Sequence, residues 1–348
     1  MNSAMLFSVV ICTRNRAAYL DTCLRSVVAQ TAAAPDAEAI VVDNGSSDRT
    51  SAVADRFRQA AGVRYVQESI VGLSQARNTG ARAARGVYVA YVDDDAVIGA
   101  QWLDSARQVL RTAIPGPVWF GGPIELAWSQ PAPAWLSEDL QECLGRLRLG
   151  EAARWLGPQE RLGGGNSFFD RRVLLELGGF DVRLGRKSGR LLSGEETQLQ
   201  RRMEAAGHRL YYHPGIVLHH HVPPDRLRSA FFYRRYFWGG VTDCTIRRTL
   251  QQAGIAGHAD PLPAAADHRG GESSRRARIF GSVRHAIGLS PQYRERVRGR
   301  IYLAYAAGYL SALVGLWGRS GPPGGDEAIR PAAADSRAAQ EPGASREP

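Results

Sequence analysis

Phe7 to Cys12 is an unbroken apolar run rich in β-branched residues. It ends in the polar Thr13-Arg14-Asn15-Arg16, after which Leu20, Cys23, Leu24 and Val27 recur with helical spacing. The pattern predicts strand, polar loop, helix, and it repeats at once. Ala39 to Asp43 reads as a second strand, closed by a Gly/Ser/Asp-rich turn up to Thr50, with a helix from about 51 to 60 whose polar start supplies capping groups. Val63 to Gln67 is a third strand, leading through the polar stretch Gly72 to Gly80 into an Ala-rich helix. Val87 to Val92 is a fourth, ending in Asp93-Asp94-Asp95. Strands alternating with helices at this spacing predict an α/β fold: a doubly wound, mostly parallel sheet with helices on both faces. Ligands of such sheets gather beyond the C-terminal ends of the strands. Each polar cluster named here falls at such an end.

The alternation fades from Trp102 onward: a helix to about Arg111, an extended stretch from Val118 to Leu126, then a Trp- and Pro-rich segment to Leu136. Further on, Gly163-Gly164-Gly165-Asn166 precedes a helix near Arg172 to Leu177 and a Gly178-Gly179-Phe180 turn. Ser193-Gly194-Glu195-Glu196 opens another helix, and a strand near Arg209 to His213 and the apolar Ile216 to Leu218 lead to His219-His220-His221. Trp128, Trp135 and Trp238 are expected in the core. One domain is expected over residues 1–245, with halves meeting near 115. A linker rich in Ala, Gly, Asp and Pro is expected over 246–275, a basic and apolar helical extension over 276–318, and a disordered tail over 319–348.

With 44% apolar and 22% charged residues the 348-residue chain has globular proportions, which excludes a wholly disordered or fibrous protein. Its formal net charge of +10 would suit a phosphate-rich partner. Position argues otherwise: between Glu272 and Arg300 there are eight Arg against two Glu, outside the patterned domain and without regularly interleaved aromatics, so nucleic-acid binding is not expected. Beside this stretch Ile301 to Trp317 is nearly all apolar, yet short of the ~20 residues a bilayer span needs. Two readings stand for 275–317: peripheral contact with an anionic membrane, and, slightly favoured, a helix packed on the domain with its Arg in solvent. Four scattered cysteines, Cys12, Cys23, Cys143 and Cys244, indicate neither a disulfide framework nor a zinc site. The start of the chain lacks a basic segment before its apolar run. A cytoplasmic location is expected, at the inner face of the membrane under the first reading.

Three adjacent carboxylates, Asp93, Asp94 and Asp95, repel one another unless a cation or hydrogen-bond donors compensate. Oxygen ligands suit Mg²⁺ or Mn²⁺, which usually take one or two carboxylates plus substrate phosphates. A solvated acidic turn is the equal alternative for the triplet alone.

Taken in order, SVVICTRNR, IVVDNGSSDRT, GLSQARNTGARAARGVYVAYVDDDA and SGEETQL resemble the successive motifs of family 2 glycosyltransferases with the GT-A fold. The resemblance runs from about Ser8 to Gly240, roughly two thirds of the chain. Each motif alone is common; the ordered set is specific. A dinucleotide-binding fold would instead carry GxGxxG in its first βα turn, which is absent.

The resemblance implies a metal-dependent, inverting transferase that moves a sugar from a nucleoside diphosphate donor to an acceptor hydroxyl. Donor binding falls to about 1–115, and the acceptor and the base to 116–245. Asp43 is implied at the nucleotide base, with Thr13 and Arg14 lining the same pocket, and Arg77 and Asn78 near the donor's phosphates and sugar. Asp93 falls near ribose or sugar hydroxyls and Asp95 on a Mn²⁺ or Mg²⁺ ion, with Asp93 and His220 as further candidate ligands. Asn166 falls beside the sugar or acceptor. Where the family usually has Gly-Glu-Asp this chain has Gly194-Glu195-Glu196. Glu196 is therefore expected as the general base, displaced by the extra methylene, with Glu195 its nearest competitor. Plain structural readings stand beside these: an Asx turn for Asp43, a surface residue for Arg77, a cap for Asn78, a tight Gly turn before Asn166, helix-start acids for Glu195 and Glu196. His220 is an exposed or structural histidine on the same terms. The acceptor, whether glycan, lipid-linked or small molecule, is not encoded in a recognisable motif. Deleting 272–348 is expected to leave donor binding intact. A catalytically inactive binding or scaffold protein on the same fold is the alternative, suggested by the Glu at position 196.

Overall fold

The computed structural model describes residues 5–158, 160–187, 189–255 and 293–315. Its first half follows the hydrophobic pattern closely: β1 (Phe7–Thr13), α1 (Ala17–Thr31), β2 (Ala37–Asp43), α2 (Thr50–Ala61), β3 (Arg64–Gln67), α3 (Leu73–Ala83) and β4 (Tyr88–Asp93). These strands pair in parallel in the order β3-β2-β1-β4. Their continuous apolar runs arise because both faces are covered. Val9 and Ile11 of β1 pack with Leu20, Leu24 and Trp102 on one face, while Val10 packs with Ala76, Ala81 and Leu199 on the other. Alternate residues of one strand thus enter separate cores.

Beyond β4 come β5 (Ala96–Ile98), α4 (Trp102–Thr112), β6 (Trp119–Gly121), β7 (Ile124–Trp128), α5 (Glu138–Gln141), β8 (Arg154–Trp155), β9 (Asn166–Asp170) and α6 (Arg171–Glu176). They are followed by α7 (Glu195–Ala205), β10 (Leu210–Tyr212), β11 (Leu218–Val222), α8 (Ser229–Gln252) and α9 (Tyr293–Leu313). The main sheet continues from β4 as β9-β6-β10-β8, in which β9 and β8 run antiparallel to their neighbours. A second sheet, β5-β11-β7, stands over the strand ends. The single extended stretch expected over 118–126 is therefore two strands in two sheets, divided at Gly122-Pro123, where proline has no N–H to continue a ladder.

Three further expectations change. The polar stretch 72–80 is not a loop before a helix but the helix itself, since α3 starts at Leu73. α8 runs through Gln252, so residues 246–252 of the expected linker are helical; Ile246 and Leu250, one turn apart, pack against Leu184 and carry the apolar stripe past the change in composition. Residues 256–275 of that linker, 276–292 and 316–318 of the extension, and the tail 319–348 lie outside the described residues. Trp238 is buried and Trp135 meets Phe232 edge-on at 5.0 Å, but Trp128, at the end of β7, is 37% exposed instead of core.

α9 lies along α8. Val297 and Ile301 share a buried cluster with Leu140, Val222, Leu227 and Phe232, and Arg298 pairs with Asp139 at 2.7 Å. α9 leaves Leu303, Leu310 and Leu313 exposed, and Val314 just beyond its end is exposed too. Among the described residues no helix is long and apolar enough to cross a membrane.

Candidate active site

Three parallel strands end side by side, Thr13 opposite Asp43 and Cys12 opposite Asp93. The turn after β4 then drives Asp94 and Asp95 inward, where both are buried. Thr13 Oγ1 donates to Asp94 Oδ2 at 2.7 Å. The Arg16 guanidinium forks across the pair, Nη1 to Asp94 Oδ1 at 2.7 Å and Nη2 to Asp95 Oδ2 at 2.8 Å, with the Tyr19 ring 4.7 Å from its centre. Burial pushes Asp94 up to about 7 against the pull of Arg16. Burial also opposes charge on Asp95, but His220, Arg16 and Arg226 together outweigh it and hold that carboxyl below its ordinary range. Arg226 Nη2 is 3.1 Å and His220 Nε2 3.3 Å from the same Oδ2. Arg226 Nη1 also lies 3.1 Å from His220 Nε2. A guanidinium only donates, so an Nε2 that accepts from Arg226 cannot donate to Asp95, and the two contacts exclude each other by tautomer.

On β11 the histidines alternate as an extended segment requires: His219 exposed, His220 buried toward the site, His221 between the two. Arg14 points elsewhere, its Nε 3.5 Å from the Gly45 carbonyl and exposed. Arg16, not singled out from the sequence, takes the place next to the acids. The signal available was its position: three residues past the end of β1, it faces the end of neighbouring β4.

Asp43 is buried, with both oxygens engaged. Oδ1 accepts from Ser46 N–H at 2.9 Å, the Asx turn of the plain reading, and Oδ2 accepts from Tyr65 Oη at 2.6 Å. Tyr65, at β3, is a second residue the sequence reading did not name.

A second charged group forms where α3 and α7 meet. Gly194 adopts a left-handed conformation at φ 83°, and a Cβ there would stand 2.6 Å from Thr242 of α8, so glycine alone lets α7 begin this deep. The first turn of α7 then places Glu195 Oε1 2.7 Å from Arg77 Nη1, while Arg77 Nη2 reaches Asp93 Oδ1 at 3.4 Å. Arg77 is itself buried, its guanidinium 5.4 Å from the Phe180 ring. Glu195 Oε2 and Glu196 Oε2 are buried without a hydrogen-bond partner. Burial raises Glu195 to about 7, its neighbour Glu196 adds to the rise, and Arg77 opposes it. The loop before β9 passes between these groups: a Cβ on Gly164 would stand 3.1 Å from Arg77 Nη1 and 3.4 Å from Glu196 Cβ, and one on Gly165 would overlap the carboxylate of Asp93.

Two expected site residues are otherwise occupied. Asn78 donates to the Phe180 carbonyl and accepts from the Phe180 N–H, both at 2.8 Å, so its amide clamps the turn that carries Phe180. Asn166 accepts from Trp102 Nε1 at 2.7 Å and donates to the carbonyls of Pro123 and Ile216 at 2.9 and 2.8 Å. It ties the two sheets together beneath the site.

Among the described residues no three His, Cys, Asp or Glu side chains form a metal cage. The residues present fit a different kind of cation site. Asp95 Oδ2 and His220 Nε2 are close enough for one ion to bond both, and Asp93, its side chain 44% exposed, faces the open side. A cation that draws the rest of its shell from a diphosphate and water needs no more. Arg16 and Arg226 also place positive charge at that oxygen.

Residues 8–113 match the family model described as Glycosyl transferase family 2. The chain is 28% identical over 242 residues to the glucosyl-dolichyl phosphate glucuronosyltransferase of Haloferax volcanii, covering 68% of this chain and 76% of that one. It is 27% identical over 252 residues to the succinoglycan biosynthesis protein ExoM of Rhizobium meliloti, covering 69% and 75%. Among solved structures, the mannosyltransferase PcManGT of Pyrobaculum calidifontis, in complex with GDP-Man and Mn²⁺, is similar with a TM-score of 0.57 at 20% identity, covering 90% of this chain and 88% of that one. S. aureus TarS 1-349 in complex with UDP-GlcNAc gives 0.51 at 15% identity, covering 89% and 92%. At such identities the structures speak for the fold, and the ordered motifs and the relatives speak for the activity. Together they support a glycosyltransferase with the GT-A fold, whose residues 8–113 match family 2.

Proposed function

We propose that the enzyme moves a sugar from a nucleoside diphosphate donor to an acceptor hydroxyl in one in-line displacement, inverting the anomeric carbon, with Glu196 as general base. The observation that carries this reading is the pair of buried, unpartnered oxygens on Glu195 and Glu196, beside Arg77 and facing the Asp93 end of β4. Glu196 takes the proton of the acceptor hydroxyl as that oxygen bonds to the sugar and the sugar–phosphate bond breaks. Glu195, raised toward neutrality, is held by Arg77 and fixes the start of α7. Thr13 and Asp43 line the nucleotide side. Asp95, with Asp93 and His220, would hold a divalent cation. When bound, such an ion neutralises the charge that develops on the departing diphosphate.

The test is a thermal-shift panel of nucleoside diphosphates with and without Mn²⁺. A ligand that binds only the folded state raises the melting temperature with its concentration. One nucleotide is expected to raise it in a Mn²⁺-dependent way, and Asp95→Ala to lose that shift. A shift of equal size without Mn²⁺, or one kept by Asp95→Ala, would contradict the cation assignment.

A further inference from the structure

α9 packs with one face only. Val297, Ile301, Tyr305, Gly308 and Ala312 recur every three or four residues and are buried against the domain and α8. The face turned away carries a second stripe at the same spacing. It opens with Tyr293, Arg296 and Arg300, the Arg296 guanidinium centre 5.9 Å from the Tyr293 ring. It continues as Leu303, Ala307, Leu310 and Val314, all exposed, Leu310 to 58% and Val314 to 69%. The Val314 N–H still bonds the Leu310 carbonyl at 3.1 Å, so the helical register holds to the end of the stripe. A helix on the surface of a soluble domain ordinarily has polar residues where this one has leucine.

Cations frame the apolar part. Arg300, exposed, stands one turn before Leu303. At the other end α8 supplies two more: Arg248 Nη2 donates to the Leu313 carbonyl at 2.7 Å and Arg247 Nη1 to Tyr309 Oη at 3.3 Å, both residues exposed. Across α8 and α9 there are eight Arg against two acids, Asp243 and Glu295, and Asp243 Oδ2 already accepts from Tyr305 Oη at 2.6 Å. The sequence before α9 adds Arg275, Arg276, Arg278 and Arg284, with no acid from 273 to 292. An apolar strip set between cations matches the boundary of an anionic bilayer, where leucines enter the acyl region and guanidiniums meet the lipid phosphates.

We infer that this face of α9, with Arg247 and Arg248, docks the enzyme on an anionic lipid bilayer, the helix lying in the plane of the interface. A second copy of the chain fits poorly. The four apolar side chains of the stripe fall far short of the roughly 20–30 residues a side that a stable interface uses, and the contact would bring Arg against Arg. The arrangement of α8 gives the docking its consequence. Gly240 faces Tyr305 of α9, and Thr242, two residues on, faces Gly194 at the start of α7. A single helix thus lies between α9 and the turn that carries Glu195 and Glu196, which sets that end of the cleft near the lipid surface. The inference uses no donor or base assignment and stands or falls apart from them.

The experiment is co-sedimentation of the full-length protein with vesicles of phosphatidylcholine, with and without a third of phosphatidylglycerol, alongside sedimentation velocity in the absence of lipid. Binding to the anionic vesicles is expected, weaker by about tenfold or more without phosphatidylglycerol and weakened by added salt. Leu310→Gln and Val314→Gln should each reduce it about tenfold, and Arg247→Gln and Arg300→Gln about fivefold each. All four side chains are on the exposed face, so each variant should melt with the native protein. Binding that is indifferent to phosphatidylglycerol, or absent, overturns the inference. So does binding that falls with salt yet is kept by the Leu310 and Val314 variants, which would belong to the basic stretch 275–284. A Leu310→Gln protein that melts well below the native one would show that the chain itself covers the stripe, and a native dimer broken by the same substitutions would give the face to a second copy.

Discussion

Glu195 and Glu196 carry the same group in different surroundings. Each keeps one oxygen without a donor, but Glu195 is buried against Arg77, which fixes its carboxyl and denies it free movement, whereas Glu196 is less buried. A base must reach the acceptor proton within hydrogen-bond distance, so the freer carboxylate suits the task. Glu196→Gln is expected to bind nucleotide as the native enzyme does and to lose about 10²- to 10⁴-fold in turnover, the usual range for a positioned base. Equal loss of nucleotide binding would point to a role in the fold. Gly165 offers a second test. A methyl there meets the outer end of the half-exposed Asp93, which can swing away, so Gly165→Ala should fold with little change in melting temperature. With Asp93 displaced, Mn²⁺-dependent nucleotide affinity should fall on the order of tenfold; unchanged affinity would remove Asp93 from the donor site.

At the level of elements, regular alternation made the first half readable, because each strand of β1 to β4 is buried on both faces and each helix presents one apolar stripe. The small sheet was not readable, since β5 spans only Ala96–Ile98 and its partners β7 and β11 come from distant parts of the chain. The same limit hid the roles of Asn78 and Asn166: a motif shows which residues stand near a site, not which backbone groups need their amides. Charge pairs across the fold, such as Arg16 with Asp95, are invisible for the same reason. The C-terminal hairpin is held by contact that no pattern announced. A Cβ on Gly240 would overlap the Tyr305 carbonyl and stand 2.6 Å from Tyr309 N, and one on Gly308 would overlap the Phe237 carbonyl, so α8 and α9 touch backbone to backbone. Backbone cannot yield as a side-chain tip does. Gly240→Ala is expected to destabilise by about 1–3 kcal/mol, read by denaturant unfolding. Nucleotide binding by the folded fraction should be retained, because Gly240 and its α9 contacts lie apart from Asp43, Thr13 and Asp93.

Over the whole molecule the charge of +10 and the burial of acids at one cleft set how stability responds to pH. Glu195 titrates near its ordinary 4.5 in the unfolded chain and at about 7 in the folded one. Between those values the folded protein holds a proton that the unfolded chain has released. Stability from this group therefore falls as pH rises through that window, and the penalty is complete above about 7 and absent below 4.5. Asp95 acts with the opposite sign: its carboxyl is held below the ordinary 3.8, so its contribution is present above that value and is lost in more acid solution. Since Asp95 is already ionised in both states above pH 5, the slope between 5 and 8 isolates Glu195 from it. Asp94, also raised to about 7, slopes the same way over this window, so Glu195→Gln removes only the share of the slope due to Glu195, while shifting the overall level through the altered contact with Arg77. Unfolding of native and variant protein in denaturant at pH 5 and at pH 8 should show the variant gaining on the native protein as pH rises. Curves that stay parallel would mean that Glu195 is ionised in the resting enzyme, and the proton that its burial against Glu196 requires would have to be placed elsewhere in the cleft.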